Sequence, residues 1–268
     1  MKYRLTDETI EREGITLHRI QATKDFGDVR EGDLGGFIEN EKNLSHEGNA
    51  WVYGDAKVYG NAQVYDNAKV RGTARIYDNA VVYKEAEVSG DAWVFGNAEI
   101  YGDARVCDEA LVYGNARVYG KTWVCGEAWV YGKAWVCGEA EVCGNARVCG
   151  NAWVYGNAKV YDNVRIYDNA IVFDEANIYG EAWVCDNAKV HGKAKVYGNV
   201  LVFGKAEVYG NARIYGKAWV YDNAEVYGDA KIYGNATVYD NARVYGNAEV
   251  CGKAEACGNA RLYDGVRN

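Results

Sequence analysis

From residue 50 onward, apolar and polar positions alternate with a period of six. An aliphatic residue stands at Val52, Val58, Val64, Val70, Ile76 and Val82 and recurs by sixes to Leu262, with Ala256 alone losing aliphatic character. A small residue stands two places before each, from Ala50 to Ala260, with Thr122, Val164 and Val200 as exceptions. No residue is inserted or deleted across these 36 units. In extended chain, alternate side chains share a face. The small and aliphatic residues of each unit therefore point one way, inward, and the residue between them points to solvent. The pair that closes each unit is Gly-Asn, Gly-Asp, Gly-Lys, Asp-Asn or similar, and Gly and Asn tolerate the dihedrals of a tight corner. Apolar spacings of two and six exclude a helix. The unchanging phase argues against hairpins, and a propeller blade needs a period of roughly 40 residues.

Short strands of this kind are stable only when stacked. Three faces per turn make a coil of 18 residues, and 36 units make about 12 coils. The expected fold is all-β: a triangular, single-stranded β-helix with a narrow core of valine and alanine. Residues 1–49 lack the period and read as an N-terminal cap with an irregular first coil near Leu44. Two short strands are expected there around a turn at Glu11–Gly14, and Gly35-Gly36 reads as a second turn. Residues 50–263 form the solenoid and 264–268 a short tail.

The aliphatic-x-x-x-small-x spacing over residues 50–263 resembles the hexapeptide-repeat family, which includes acyltransferases with a left-handed triangular β-helix. One departure is that Tyr53, Phe95 or Cys107 stands directly after the aliphatic residue, where that family often has Gly. Residues 15–55 resemble the N-terminus of uncharacterised bacterial and prophage proteins, some of which are called acetyltransferases by fold analogy. The resemblance implies a left-handed coil and brings acyl-CoA-dependent O- or N-acyl transfer into view. Fold alone does not carry that activity.

The charge balance, 38 acidic against 30 basic residues, gives −8. It offers no reason to expect nucleic acid or an anionic membrane as partner. No signal-peptide pattern and no run of 18 apolar residues occurs, which points to a cytoplasmic protein with free thiols.

Residues 18 apart should stack as ladders. The first face carries Trp51, Lys69, Glu87, Arg105, Trp123, Glu141, Lys159, Asn177, Lys195, Arg213, Lys231 and Glu249. The second is more apolar, with Trp93, Leu111, Trp129, Arg147, Arg165, Trp183, Leu201 and Trp219, and the third places Trp135, Trp153 and Ile171 in one row. Exposed aromatic rows mark candidate binding surfaces. The position after the aliphatic residue forms tyrosine ladders, including Tyr65–Tyr83–Tyr101–Tyr119 and Tyr161–Tyr179–Tyr197–Tyr215–Tyr233, which read as stiffening. Cys107, Cys125 and Cys143 share such a ladder, where disulfides between adjacent coils are geometrically open. A straight row does not converge on a metal ion, so no metal or cofactor is expected.

The acyltransferases of the family typically use a histidine base in a cleft between subunits, often beside a projecting loop. Only His18, His46 and His191 are present, and the 36 units contain no projecting loop. His46 beside Glu47 is a weak base–carboxylate candidate, because adjacent strand residues point oppositely. His191 takes a place otherwise held by Tyr, Phe or Cys. No catalytic residue is assigned. The expected function is a non-enzymatic structural or protein-binding scaffold, of phage or prophage origin. Extended-carbohydrate binding along the aromatic rows and acyl transfer are the alternatives. Expected partners are another protein, a second copy joined end to end through the C-terminal coil, or a polysaccharide.

Overall fold

The computed structural model describes every residue from Met1 to Asn268. It is an all-β solenoid of about 13 turns with three parallel sheets. Pairing sets each outward residue opposite the one 18 further along: Lys69 faces Glu87, Trp93 faces Leu111 and Trp153 faces Ile171. Most strands are two residues long, as at Lys69–Val70. A few run on through the next two residues, as at Glu99–Gly102 and Lys195–Gly198. Such strands cannot stand alone, and each coil donates its backbone bonds to the next. The Lys69 amide, for example, donates to the Ala86 carbonyl at 2.9 Å.

Two compact units make up the chain, Met1–Gly132 and Lys133–Asn268. The first begins with the cap. Strand β1 (Tyr3–Arg12) and strand β2 (Ile15–Ala22) form an antiparallel hairpin. Its two loop residues, Glu13 and Gly14, have φ of 50° and 80°, as a tight two-residue turn requires. Strand β3 (Leu34–Ile38) pairs antiparallel with β2 and parallel with Lys57–Val58. The hairpin thus covers a sheet edge that would otherwise be open.

Two expectations for this region are corrected. Gly35-Gly36 is not a turn but lies inside β3. A Cβ on Gly35 would sit 2.6 Å from the Val52 carbonyl oxygen, and one on Gly36 2.5 Å from that of Ala56. The glycines let the cap strand seat directly on the first coil. Trp51, expected outward, is only 1% exposed. The Tyr3 and Phe26 rings meet it edge-on at 6.1 and 5.4 Å between centroids.

Inward alanines and valines of both units are buried, except Ala260 in the last repeat. Thr122 takes an alanine position in the first unit, is fully buried, and its hydroxyl has no hydrogen-bond partner. Val164 and Val200 fill the equivalent position in the second unit and are fully buried. Thr122→Val is therefore expected to stabilise the protein by about 1 kcal/mol, since an unsatisfied buried hydroxyl is removed. Chemical denaturation measures this, and a loss of stability would show that the hydroxyl is bonded after all.

Corners explain the Gly/Asp alternation. A Cβ on Gly150, at φ 71°, would lie 2.7 Å from the amide nitrogen of Asp168 on the next coil. Where aspartate takes the same left-handed place, its carboxylate accepts the amide N–H one coil on. Asp78 accepts from Gly96 at 3.1 Å and Asp162 from Gly180 at 2.9 Å. That charge-assisted bond offsets the cost of left-handed backbone. In the second unit, Val266–Arg267 of the tail adds a further parallel strand against Glu249–Val250.

Candidate functional site

The outward rows form as expected within each unit. In the first, Trp93 and Leu111 are neighbours, as are Leu111 and Trp129. In the second, Arg147, Arg165, Trp183, Leu201 and Trp219 follow one another, and Trp135, Trp153 and Ile171 form a separate row. Exposure differs along the rows. Trp123, Trp153, Trp183 and Trp219 are exposed, while Trp93, Leu111, Trp129, Trp135 and Leu201 are half-buried. The Arg75 guanidinium lies 4.4 Å from the Trp93 ring centroid and that of Arg165 4.8 Å from Trp183, both cation–π distances. Trp135 and Trp153 stack at 4.9 Å.

Tyrosine ladders stack at coil spacing. Tyr65, Tyr83, Tyr101 and Tyr119 follow at 5.0, 4.9 and 4.8 Å. Tyr179, Tyr197, Tyr215 and Tyr233 follow at 4.9, 5.1 and 4.9 Å. Tyr161 departs from its expected ladder by turning its hydroxyl to the Glu141 carboxylate. That bond, followed by the Lys159 ammonium, holds the Glu141 carboxyl below the usual range.

His191 is the one histidine among these rows. Its ring lies between Phe173 at 4.4 Å and Tyr209 at 5.1 Å. Nε2 is 3.0 Å from Glu207 Oε1, and Nδ1 is 3.8 Å from Asp174 Oδ2. Both ring faces are covered, and each nitrogen faces a carboxylate. The arrangement is a rung of the aromatic ladder. His191→Phe is expected to change stability by less than about 1 kcal/mol, and His191→Ala by more, because only the second opens the stack. Thermal melts decide it: Phe as damaging as Ala would assign His191 a polar role.

Cap residues bring buried titratable groups together. Lys2 is 1% exposed, and its ammonium donates to the carbonyls of Ala50, Glu47 and Gly48 at 2.8, 3.3 and 3.4 Å. Burial, and then the Lys24 charge, lowers its pKa to about 8. The Tyr3 hydroxyl donates to the Leu44 carbonyl at 2.7 Å, and burial raises its pKa. His46 stacks on Tyr3 at 4.2 Å and accepts the Lys2 amide N–H at 3.3 Å. Burial lowers its pKa, and the carboxylate near it is that of Glu41, at 3.9 Å, rather than Glu47. His18 lies apart, with Nδ1 3.4 Å from the Thr6 carbonyl. These groups hold cap backbone to the first coil. Asp28 adds a clamp: it accepts from the Tyr53 hydroxyl at 2.6 Å and Lys69 at 3.1 Å, which holds its pKa near 2.

No three His, Cys, Asp or Glu side chains converge as metal ligands. Asp186, Asp222 and Asp240 are among the residues that line an open corner groove of the second unit. Its carboxylates accept backbone N–H groups, as Asp186 does from Gly204 at 3.0 Å. Cys107, Cys137, Cys149, Cys185, Cys251 and Cys257 are free thiols. Cys125 and Cys143 are disulfide-bonded, against the expectation of free thiols throughout. Burial, and then Asp108, pushes the Cys107 thiol up to about 11, which makes it a poor nucleophile.

The repeat itself matches a known pattern. A family model described as the YdcK beta solenoid repeat fits residues 110–126, 140–156, 206–222, 230–246 and 238–252. Among curated proteins, the chain is similar to the uncharacterized acetyltransferase YdcK of Escherichia coli (strain K12), at 40% identity over 60 residues. That alignment covers 19% of this chain and 18% of the relative. The chain thus spans under a fifth of the curated relative it matches, and the likeness is one of repeat and fold.

Proposed function

We propose that this chain is a non-enzymatic scaffold that presents repetitive faces to another protein or to a second copy of itself. The observation that carries the reading is the continuity of the repeat: 36 units without an insertion, each corner closed on the next coil. Catalysis needs reactive groups that converge beside a bound substrate. Here the polar side chains run in parallel rows. The histidines are engaged with rings, a backbone amide, a carbonyl or carboxylates.

A second reading, an extended carbohydrate lying on the aromatic rows, is favoured by exposed Trp183 and Trp219 flanking Leu201 on one face. Acyl transfer is supported only by the name of the YdcK relative and by fold analogy.

Calorimetric titration of the full chain with acetyl-CoA, paired with a thiol-release assay, tests the scaffold reading. It expects no saturable binding and no CoA release above the buffer rate. Saturable binding with release of CoA in the presence of an amine or sugar acceptor would replace it with acyl transfer.

A further inference from the structure

Like charges directly opposite one another on neighbouring strands are unfavourable. On the first face of the second unit, Lys195 pairs with Arg213, and Arg213 with Lys231. Three cations therefore occupy consecutive rungs. Lys231 is neutralised by Glu249 at 2.7 Å. Lys195 and Arg213 are exposed and make no ion pair, although elsewhere on this unit Lys193 pairs with Glu175 and Arg243 with Glu225. The row is not balanced within the chain, unlike Glu141–Lys159 or Glu225–Arg243.

A second feature coincides with it. Asn177–Gly180, Lys195–Gly198 and Arg213–Gly216 are the only four-residue strands of the second unit. Their pairing extends through Tyr179, Tyr197 and Tyr215 into the corner glycines. The two unpaired cations thus stand on its most regular sheet. Beside them runs a line of phenols whose hydroxyls, at Tyr179, Tyr197 and Tyr215, make no hydrogen bond in the chain, whereas that of Tyr233 donates to Glu249. Burial raises the pKa of Tyr179 and Tyr215, so these phenols stay donors.

We propose that Lys195, Arg213 and the hydroxyls of Tyr179, Tyr197 and Tyr215 form a docking strip for a linear polyuronate, an acidic polysaccharide with one carboxylate per sugar. Charge complementarity selects an anion, and the phenol hydroxyls, which both donate and accept, suit a polymer that carries hydroxyls beside its carboxylates. Rungs repeat at about 4.8 Å. Same-side carboxylates of an extended acidic peptide recur every ~6.6 Å. Duplex phosphates advance about 3.4 Å per strand, and single-stranded bases need open ring faces. The faces of this ladder are covered by one another, which leaves hydroxyl edges as the donors a sugar acid requires. The strip lies on a different face from the tryptophan row and is independent of the scaffold reading.

Titration of the full chain with polygalacturonate tests the proposal, with methyl-esterified polygalacturonate, polyglutamate and oligothymidylate as comparators. Saturable, salt-sensitive binding to polygalacturonate is expected, with at least tenfold weaker binding to each comparator. Lys195→Glu combined with Arg213→Glu should weaken polygalacturonate binding at least tenfold, and Lys189→Glu on the third face should not. If the charge-reversed protein fails to fold, Lys195→Gln with Arg213→Gln should show the same loss. Absence of binding by the parent chain, undiminished binding by the folded double variant, or equal affinity for polyglutamate or oligothymidylate would each overturn the assignment.

Discussion

Val142→Asp is expected to leave no soluble folded protein. Val142 is fully buried and lies opposite Val160 on the next coil. The core is lined by alanine and valine side chains, so an aspartate there finds no donor. Burying an unpaired carboxylate costs more than the 5–15 kcal/mol that holds a typical domain together. The adjacent change, Glu141→Lys, provides the contrast. Glu141 is half-buried on the outside, bonded to the Tyr161 hydroxyl and 3.2 Å from Lys159. Its replacement loses these contacts and sets two lysines side by side, at a cost of about 1 kcal/mol. Soluble yield and a thermal melt of both variants check the pair. Equal tolerance would mean that the inward and outward assignments are wrong.

Trp51→Ala is expected to cost about 3–5 kcal/mol, the usual range for emptying an aromatic site in a core. Trp219→Ala, at the same place in the repeat, should cost less than about 1 kcal/mol. Trp51 is 1% exposed and Trp219 47%. Removal of the first leaves a void beneath Tyr3, Phe26 and Gly35 and loosens the hairpin that covers the sheet edge. Removal of the second uncovers only a patch of outer strand. Urea denaturation of both variants measures the difference. A small effect at Trp51 would show that the cap contributes little to the stability of the first unit.

These pairs mark how far the sequence carries. The inward and outward assignment of Val142 and Glu141 follows from alternation alone, and the 18-residue register follows from three faces per turn. What the repeat does not encode is what covers it. Nothing in Ala50-Trp51-Val52 distinguishes that unit from Ala218-Trp219-Val220; only the aperiodic cap buries one of them. Gly35-Gly36 read as a turn because turns are the common use of such a pair, while here close approach of a strand to Trp51 and Ala56 demands it. Tyr161 left its ladder because Glu141 lies within reach, a contact that rows read one at a time do not reveal. The same holds for His46, whose neighbouring carboxylate comes from Glu41 through the fold of the first coil. The cation row on the first face was visible as residues. That Lys195 and Arg213 lack ion-pair partners depends on how the fold places their neighbours.

Equivalent coils of 18 residues, rather than any one local site, make up the molecule. Excision of one whole coil, residues 213–230, tests it most directly, because Ala212 then joins Lys231 with every face in register. A soluble protein with an unchanged β-type far-ultraviolet spectrum and a cooperative melt within a few degrees of the parent is expected, while removal of residues 213–215 alone should disrupt folding. Loss of the folded state on removal of the full coil, or equal behaviour of the two deletions, would contradict it.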